Sequence, residues 1–300
     1  MGDETCCKYV SSIGILKSCN IRSTTRQSSC QSVEGYDFSK GYDGCTLYIC
    51  ATAMNHFASI LHNIPFKFIL VSGDCDITVP DECFPNTDIF QKFINSEKII
   101  HWYAQNCVTS HPKLSQIPIG LDYHTVAERD YWGHQQTSSV EQERFLEQIS
   151  NSSLPFCERF SKCYATFHFS TYNRFGRGNE RIEAKNEIPN ELVYYQEHFV
   201  SREMTWRNQS KYAFVICPHG NGMDCHRQWE ALVLGCIPIV KTSPIDKLYE
   251  NLPVLIVNEW CNITQKLLDD TIADFKAQAF NYDKLLLKYW VNVLNGVENN

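Results

Sequence analysis

A chain of 300 residues, 43% of them hydrophobic, is long enough for one large core or two smaller ones, which sets intrinsic disorder aside. The formal charge of -7 gives no global basic field, which argues against nucleic acid or an anionic membrane surface as the main partner; any anion site has to be local. No run approaches the roughly 20 apolar residues of a membrane span and the N-terminus lacks the apolar stretch of a secretory signal, so the expectation is a cytoplasmic protein without a membrane span.

Residues 1–42 are rich in Ser, Thr and Cys without clear periodicity and read as an N-terminal lead-in with one short helix. From Cys45 the texture changes. CTLYICA predicts a strand, MNHFASILHNI a helix, and FKFILVSG a strand whose continuous apolar run suits a parallel sheet covered on both faces. DIFQKFINSE then predicts a helix, KIIHWYAQN a strand and KLSQIPIGLD another, which completes a first α/β unit over 43–150. The polar stretch from Glu128 to Pro155 holds one amphipathic helix and reads as the connection between halves.

A second series fills 151–278. KCYATFHFS predicts a strand, GNERIEAKNEI a helix, ELVYYQ a short strand, SREMTWRNQ a helical turn or helix, YAFVIC a strand, CHRQWEALVL a helix, and GCIPIVK and PVLIVNE the closing strands. Thr264 to Leu294 carries apolar residues at helical spacing and predicts one or two terminal helices, the last over 279–300. Two α/β halves joined in this way put a cleft between them, where a ligand is expected.

The fifteen cysteines are odd in number, scattered and never in a C-x-x-C pair; Cys50, Cys217 and Cys236 lie inside apolar strings, as buried thiols would. Met1-Gly2 is followed by Cys6 where N-myristoylation needs Ser or Thr. The sequons at Asn151, Asn208 and Asn262 bear on glycosylation only in a secreted chain.

The densest chemistry is PHGNGMDCHRQWEAL, residues 218–232, directly after the buried run YAFVIC. A glycine-containing turn that feeds a helix offers unpaired N–H groups and the positive end of the helix dipole to an anion. Gly220 and Gly222 are expected to admit a diphosphate, with His219 and Asn221 in the same turn and Asp224 as N-cap. Trp229, Leu232 and Val233 should face the sheet, leaving His226, Arg227 and Glu230 on the open side; Arg227 can fork onto phosphate and Glu230 can accept from a ribose hydroxyl. Phosphate and sugar read together point to a nucleotide-sugar donor.

Arg174 and Arg177, in the turn NRFGRG before the helix that carries Arg181 and Lys185, are expected to open on the same cleft and to neutralise a leaving diphosphate without a metal. Lys241, beyond GCIPIV, either touches the donor or covers a strand end. In SGDCD, Asp74 and Asp76 alternate by two, so an extended segment would point both the same way. Three readings stay open there: a polar turn, a divalent-metal site, or a carboxylate that deprotonates the acceptor. Asp122 and His124 end another predicted strand and rank below them as bases. There is no G-x-G-x-x-G fingerprint, Walker A loop, H-E-x-x-H or G-x-S-x-G elbow.

The run from Tyr212 to Val240, YAFVICPHGNGMDCHRQWEALVLGCIPIV, resembles the C-terminal half of exostosin-like glycosyltransferases, family 47. The resemblance is specific over about 30 residues and extends more loosely from Cys163 to Trp260. It implies an α/β fold of GT-B type, two Rossmann-like domains facing a central cleft with C-terminal helices, and an inverting transfer without an obligatory metal. Arg227 then matches a diphosphate ligand, Glu230 the ribose or nucleotide contact, and Gly220 and Gly222 the loop.

The expectation is a glycosyltransferase carrying a monosaccharide from a nucleoside diphosphate sugar, first of all a UDP sugar, to a glycan or glycoprotein hydroxyl. Asp74 or Asp76 would serve as base and Arg227 as the catalytic cation. No cofactor is expected, the nucleotide sugar being a substrate. Two alternatives remain: a metal-dependent GT-A-like transferase built on Asp74 and Asp76, and a non-catalytic nucleotide-sugar-binding module.

Overall fold

In the computed structural model, which describes residues 3–131, 134–168 and 179–297, the expected lead-in is part of the core. Helix α1 (Ser12–Ser18) starts on Ser11, whose Oγ accepts the Gly14 N–H at 2.9 Å, and it buries Ile13, Ile15 and Leu16. Ser11 bridges to Gly120, Tyr9 to Leu286, and Ile21 to Leu47. A seven-residue helix is too short to display a period, which is why the segment reads as irregular from sequence.

The first sheet is parallel throughout and runs in chain order: β1 (Cys45–Cys50), β2 (Phe68–Gly73), β3 (Ile99–Ala104) and β4 (Leu114–Gln116). Helices α2 (Met54–Ile60) and α3 (Thr87–Ile94) cross over between its strands. The strand predicted through IPIGLD stops at Gln116, and the chain turns at Gly120 with φ 65°. A Cβ there would lie 2.2 Å from the Val10 carbonyl oxygen, so only glycine lets the N-terminal segment dock. Helices α4 (His124–Glu128) and α5 (Ser139–Ser152) follow. Helix α5, capped by Ser138, is the predicted connection and buries Leu146 and Ile149.

The second sheet is also parallel. It contains β5 (Phe160–Ala165), β6 (Val193–Tyr195), β7 (Tyr212–Ile216), β8 (Ile237–Lys241) and β9 (Leu255–Val257) in the spatial order β6-β5-β7-β8-β9. Its crossovers include α6 (Glu180–Glu187), α7 (Arg202–Gln209) and α8 (His226–Val233). Because the second strand of this series lies outside the first, the direction of winding reverses between β5 and β7. Such a switch point opens a crevice beyond the carboxyl ends of the two strands. The first sheet, ordered as the chain runs, has no such reversal among the described residues.

Helices α9 (Gln265–Ala277) and α10 (Leu287–Leu294) close the chain, and α10 packs on α1, returning to the first half. One apolar cluster is shared by both halves: Ile119 and Tyr123 from the first, Trp229 and Tyr249 from the second, Leu287 and Trp290 from the end. A shared core of this kind couples the halves more firmly than a polar domain interface. All fifteen cysteines are free thiols, with Cys163, Cys217 and Cys236 fully buried. Among the described residues no helix is long and apolar enough to cross a membrane.

Candidate functional site

At the switch point the carboxyl ends of β5 and β7 lead into residues 166–168 and into the loop 218–225. In that loop the Gly220 N–H donates to the Gly222 carbonyl at 3.0 Å. Neither glycine takes a positive φ, so what they provide is space. A Cβ on Gly220 would meet Arg181 Nη2 at 3.1 Å, and one on Gly222 would meet Asn106 Nδ2 at 3.0 Å. The glycines therefore leave room for the close approach of two protein side chains, Arg181 and Asn106. His219 is buried, its N–H donating to the Glu180 carboxylate at 2.6 Å, while Asn221 stands exposed at the tip.

Asp224 is not the N-cap. Cys225 occupies that position without a side-chain cap, so the first turn of α8 keeps its N–H groups uncapped. Asp224 is fully buried and accepts from the Ile119 N–H at 2.7 Å, Trp229 Nε1 at 2.8 Å and the Tyr249 hydroxyl at 3.3 Å, while its own N–H donates to Asn106 Oδ1 at 3.0 Å. It pins the loop to the first half.

Two guanidinium groups converge beside this uncapped helix start. Arg227 is half-buried, donates to the Pro218 carbonyl at 3.2 Å and lies 5.5 Å from the Phe167 ring centre. Arg181 is buried and donates to the carbonyls of His168 at 2.8 Å and His219 at 3.3 Å. Burial, together with the like charge of Arg227, pulls Arg181 down to about 10, so it stays protonated at neutral pH. Among the described residues neither guanidinium has a carboxylate partner. Two neighbouring cations of this kind above a helix N-terminus form a local positive well in a chain that is acidic overall. Arg181 belongs to the basic cluster of the sequence and is buried, whereas Lys185, one turn on in the same helix, lies over the Tyr195 ring at 3.8 Å.

Other expected site residues are engaged elsewhere. Glu230 pairs with Arg202 of α7 at 2.6 Å, and Arg202 also donates to Gln142 of α5 at 2.9 Å, so the carboxylate expected to bind ribose ties three helices together. Changing Glu230 to Gln should lower unfolding free energy by about 3 kcal/mol, because the mostly buried Arg202 loses its countercharge. A denaturation midpoint unchanged from wild type would count against that role. Lys241 pairs with Glu259 at 2.5 Å and so covers the end of β8. Arg174 and Arg177 lie outside the described residues.

The Asp74–Asp76 expectation fails for a backbone reason. Asp74 has φ 58°, which breaks the extended alternation, so its side chain turns inward while Asp76 is exposed. Arg26 donates to both Asp74 oxygens, Nε at 3.0 Å and Nη2 at 2.9 Å, and Ser28 Oγ adds a third bond at 2.8 Å. A carboxylate held this way is neither a convenient base nor half of a metal-binding pair.

Across the crevice the first half presents a different group. Asp122 is buried, accepts the Thr125 N–H at 3.1 Å and lies 3.1 Å from His124 Nδ1. Burial pushes the Asp122 carboxyl up, but His226, His124 and Arg202 with the Thr125 N–H outweigh it and hold the carboxyl at about 2. His226 Nδ1 donates to the Gly120 carbonyl at 2.7 Å, and its ring centre lies 6.1 Å from that of His124. His226, expected to contact the donor, thus joins the two sides of the crevice.

No protein-family model and no curated protein sequence matches the chain. Among solved structures it is similar to an alpha1,3-fucosyltransferase with GDP-fucose, at 11% identity over 95% of this chain and 96% of that one, with a TM-score of 0.41. It is also similar to a structure described as trehalose-6-phosphate from E. coli bound with UDP-2-fluoro glucose, at 10% identity over 84% of this chain and 70% of that one, TM-score 0.34. Likenesses this weak carry no function across.

Proposed function

We propose that the chain is a glycosyltransferase of GT-B arrangement that moves a monosaccharide from a nucleoside diphosphate sugar to a glycan hydroxyl. The observation that carries this reading is the pair Arg181 and Arg227, without a carboxylate partner among the described residues, beside the uncapped start of α8. The diphosphate sits there, at the switch point of the second sheet, and the cations take up the charge that grows on it as the bond to the sugar breaks. Arg227 is the accessible contact; Arg181, deeper and held by two carbonyls, supplies field. The acceptor enters from the first half, on the side away from the diphosphate, so a single displacement inverts the anomeric centre. With Asp74 committed to Arg26, the arginines carry the leaving-group role that a metal fills in other transferases.

A thermal-shift panel of nucleoside diphosphates and their sugars, UDP first, tests the donor site. A true donor at 100 times its Kd should stabilise the protein by about 2.7 kcal/mol, and the shift should persist in EDTA. A panel with no shift for any nucleoside diphosphate would remove the assignment; a shift lost in EDTA would remove only the metal-independent part.

A further inference from the structure

The proposed reaction needs a group to take the acceptor proton, and the carboxylates expected to do so are engaged or turned away. The facing wall of the crevice offers a different pair. His124 opens α4 directly after the loop that Gly120 bends, and its Nδ1 lies 3.1 Å from the buried Asp122 carboxylate. Nδ1 stands within ion-pair distance of that carboxylate but makes no hydrogen bond in this structure, and Nε2 makes none among the described residues, so the ring is free to take a proton beside a negative charge. The side chain is 22% exposed, whereas that of Asp122 is 5% exposed. His226, the residue before Arg227, has its ring centre 6.1 Å from that of His124, so the imidazole lies beside the start of the helix that carries Arg227.

Resting on the glycosyltransferase reading above, we infer that His124 is the catalytic base for the acceptor hydroxyl and that Asp122 is its positioning residue. As the acceptor O–H bond breaks, the proton passes to Nε2 of His124. The oxygen forms its bond to the anomeric carbon while the bond from that carbon to phosphate oxygen breaks, its electron pair leaving with the diphosphate. The imidazolium so formed is balanced by Asp122, and the diphosphate charge by Arg227 and Arg181. Four groups face the imidazole: Asp122 beside it, His226 from α8, and the Arg26–Asp74 pair from the first half. Burial is the leading influence and holds His124 below the ordinary imidazole range despite Asp122, so the ring is a neutral acceptor at pH 7.

The test uses the full chain, UDP- and GDP-sugars as donors, p-nitrophenyl monosaccharides as acceptors, and nucleoside diphosphate release as readout. His124→Ala and His124→Gln should lower kcat for transfer by about 10²- to 10⁴-fold while UDP or GDP binding, read by thermal shift, stays as in wild type. The acidic limb of the wild-type kcat/KM profile should vanish from the residual activity, and added imidazole should restore part of the loss in His124→Ala. Asp122→Asn should move that limb, which a merely structural role would leave in place. Turnover unchanged in both His124 variants with nucleotide binding intact would overturn the base assignment alone. A wild-type protein that neither binds a nucleoside diphosphate nor releases one from a donor would overturn the donor reading and the base with it.

Discussion

Replacing Arg227 by Ala should lower kcat/KM for transfer by about 10²- to 10³-fold, roughly 3–4 kcal/mol of transition-state stabilisation, with no comparable loss of stability. The fold asks little of this side chain: one bond to the Pro218 carbonyl and a contact with the Phe167 ring. The proposed reaction asks more, because negative charge on a departing diphosphate would rise as the sugar leaves, and a guanidinium already half-buried and held at the Pro218 carbonyl would need little reorganisation to meet it. Lysine at 227 should recover only part of the rate, since an ammonium carries the charge without the two-pronged geometry. Arg181 is the useful contrast. Its guanidinium holds the His168 and His219 carbonyls, so its removal loosens the loop as well as the charge. Steady-state kinetics with a melting curve for each variant separates the two, and wild-type turnover in Arg227→Ala would dismiss the leaving-group role.

Asp224→Ala should cost roughly 3–6 kcal/mol of stability, because the Ile119 N–H, the Trp229 indole and the Tyr249 hydroxyl all lose their acceptor where water cannot replace it. Asp224→Asn keeps the shape but turns an NH2 toward one of those donors, and should cost about 1–3 kcal/mol. The native carboxyl also titrates. Burial outweighs the donors from Ile119, Trp229 and Tyr249 and raises it from 3.8 to about 6. A native group that holds its proton more tightly than the unfolded chain stabilises the fold fully below about pH 4, and that contribution is lost as pH rises through about 6. The advantage of wild type over Asp224→Asn in urea denaturation should therefore shrink from about pH 4 to pH 6 and level off above. A difference that stays flat over this range would mean that the buried carboxyl ionises as it does in the unfolded chain.

The amino-acid sequence alone determined the two parallel sheets, because uninterrupted apolar runs such as FILV and YAFVI alternate with helical periods, and that pattern survives any tertiary context. It also determined that a loop feeding a helix with Arg227 on its open side follows β7. What only the tertiary structure decided is where each charged side chain finds its partner. Asp74 looked like half of a metal pair until a left-handed backbone turned it onto Arg26, 48 residues upstream. Glu230 looked solvent-facing until α7 brought Arg202 against it, and Asp224 looked like a cap until the first half supplied the Ile119 N–H. Arg181 and His124 were visible in the sequence only as a member of a basic cluster and a lower-ranked base, since the place of one depends on the β7 loop and that of the other on α8 packing beside it. Periodicity is a property of neighbouring residues and can be read along the chain, whereas the ion pairs and buried hydrogen bonds of Asp74, Glu230 and Asp224 join residues from 28 to 105 positions apart, and only tertiary packing brings them within a few ångströms.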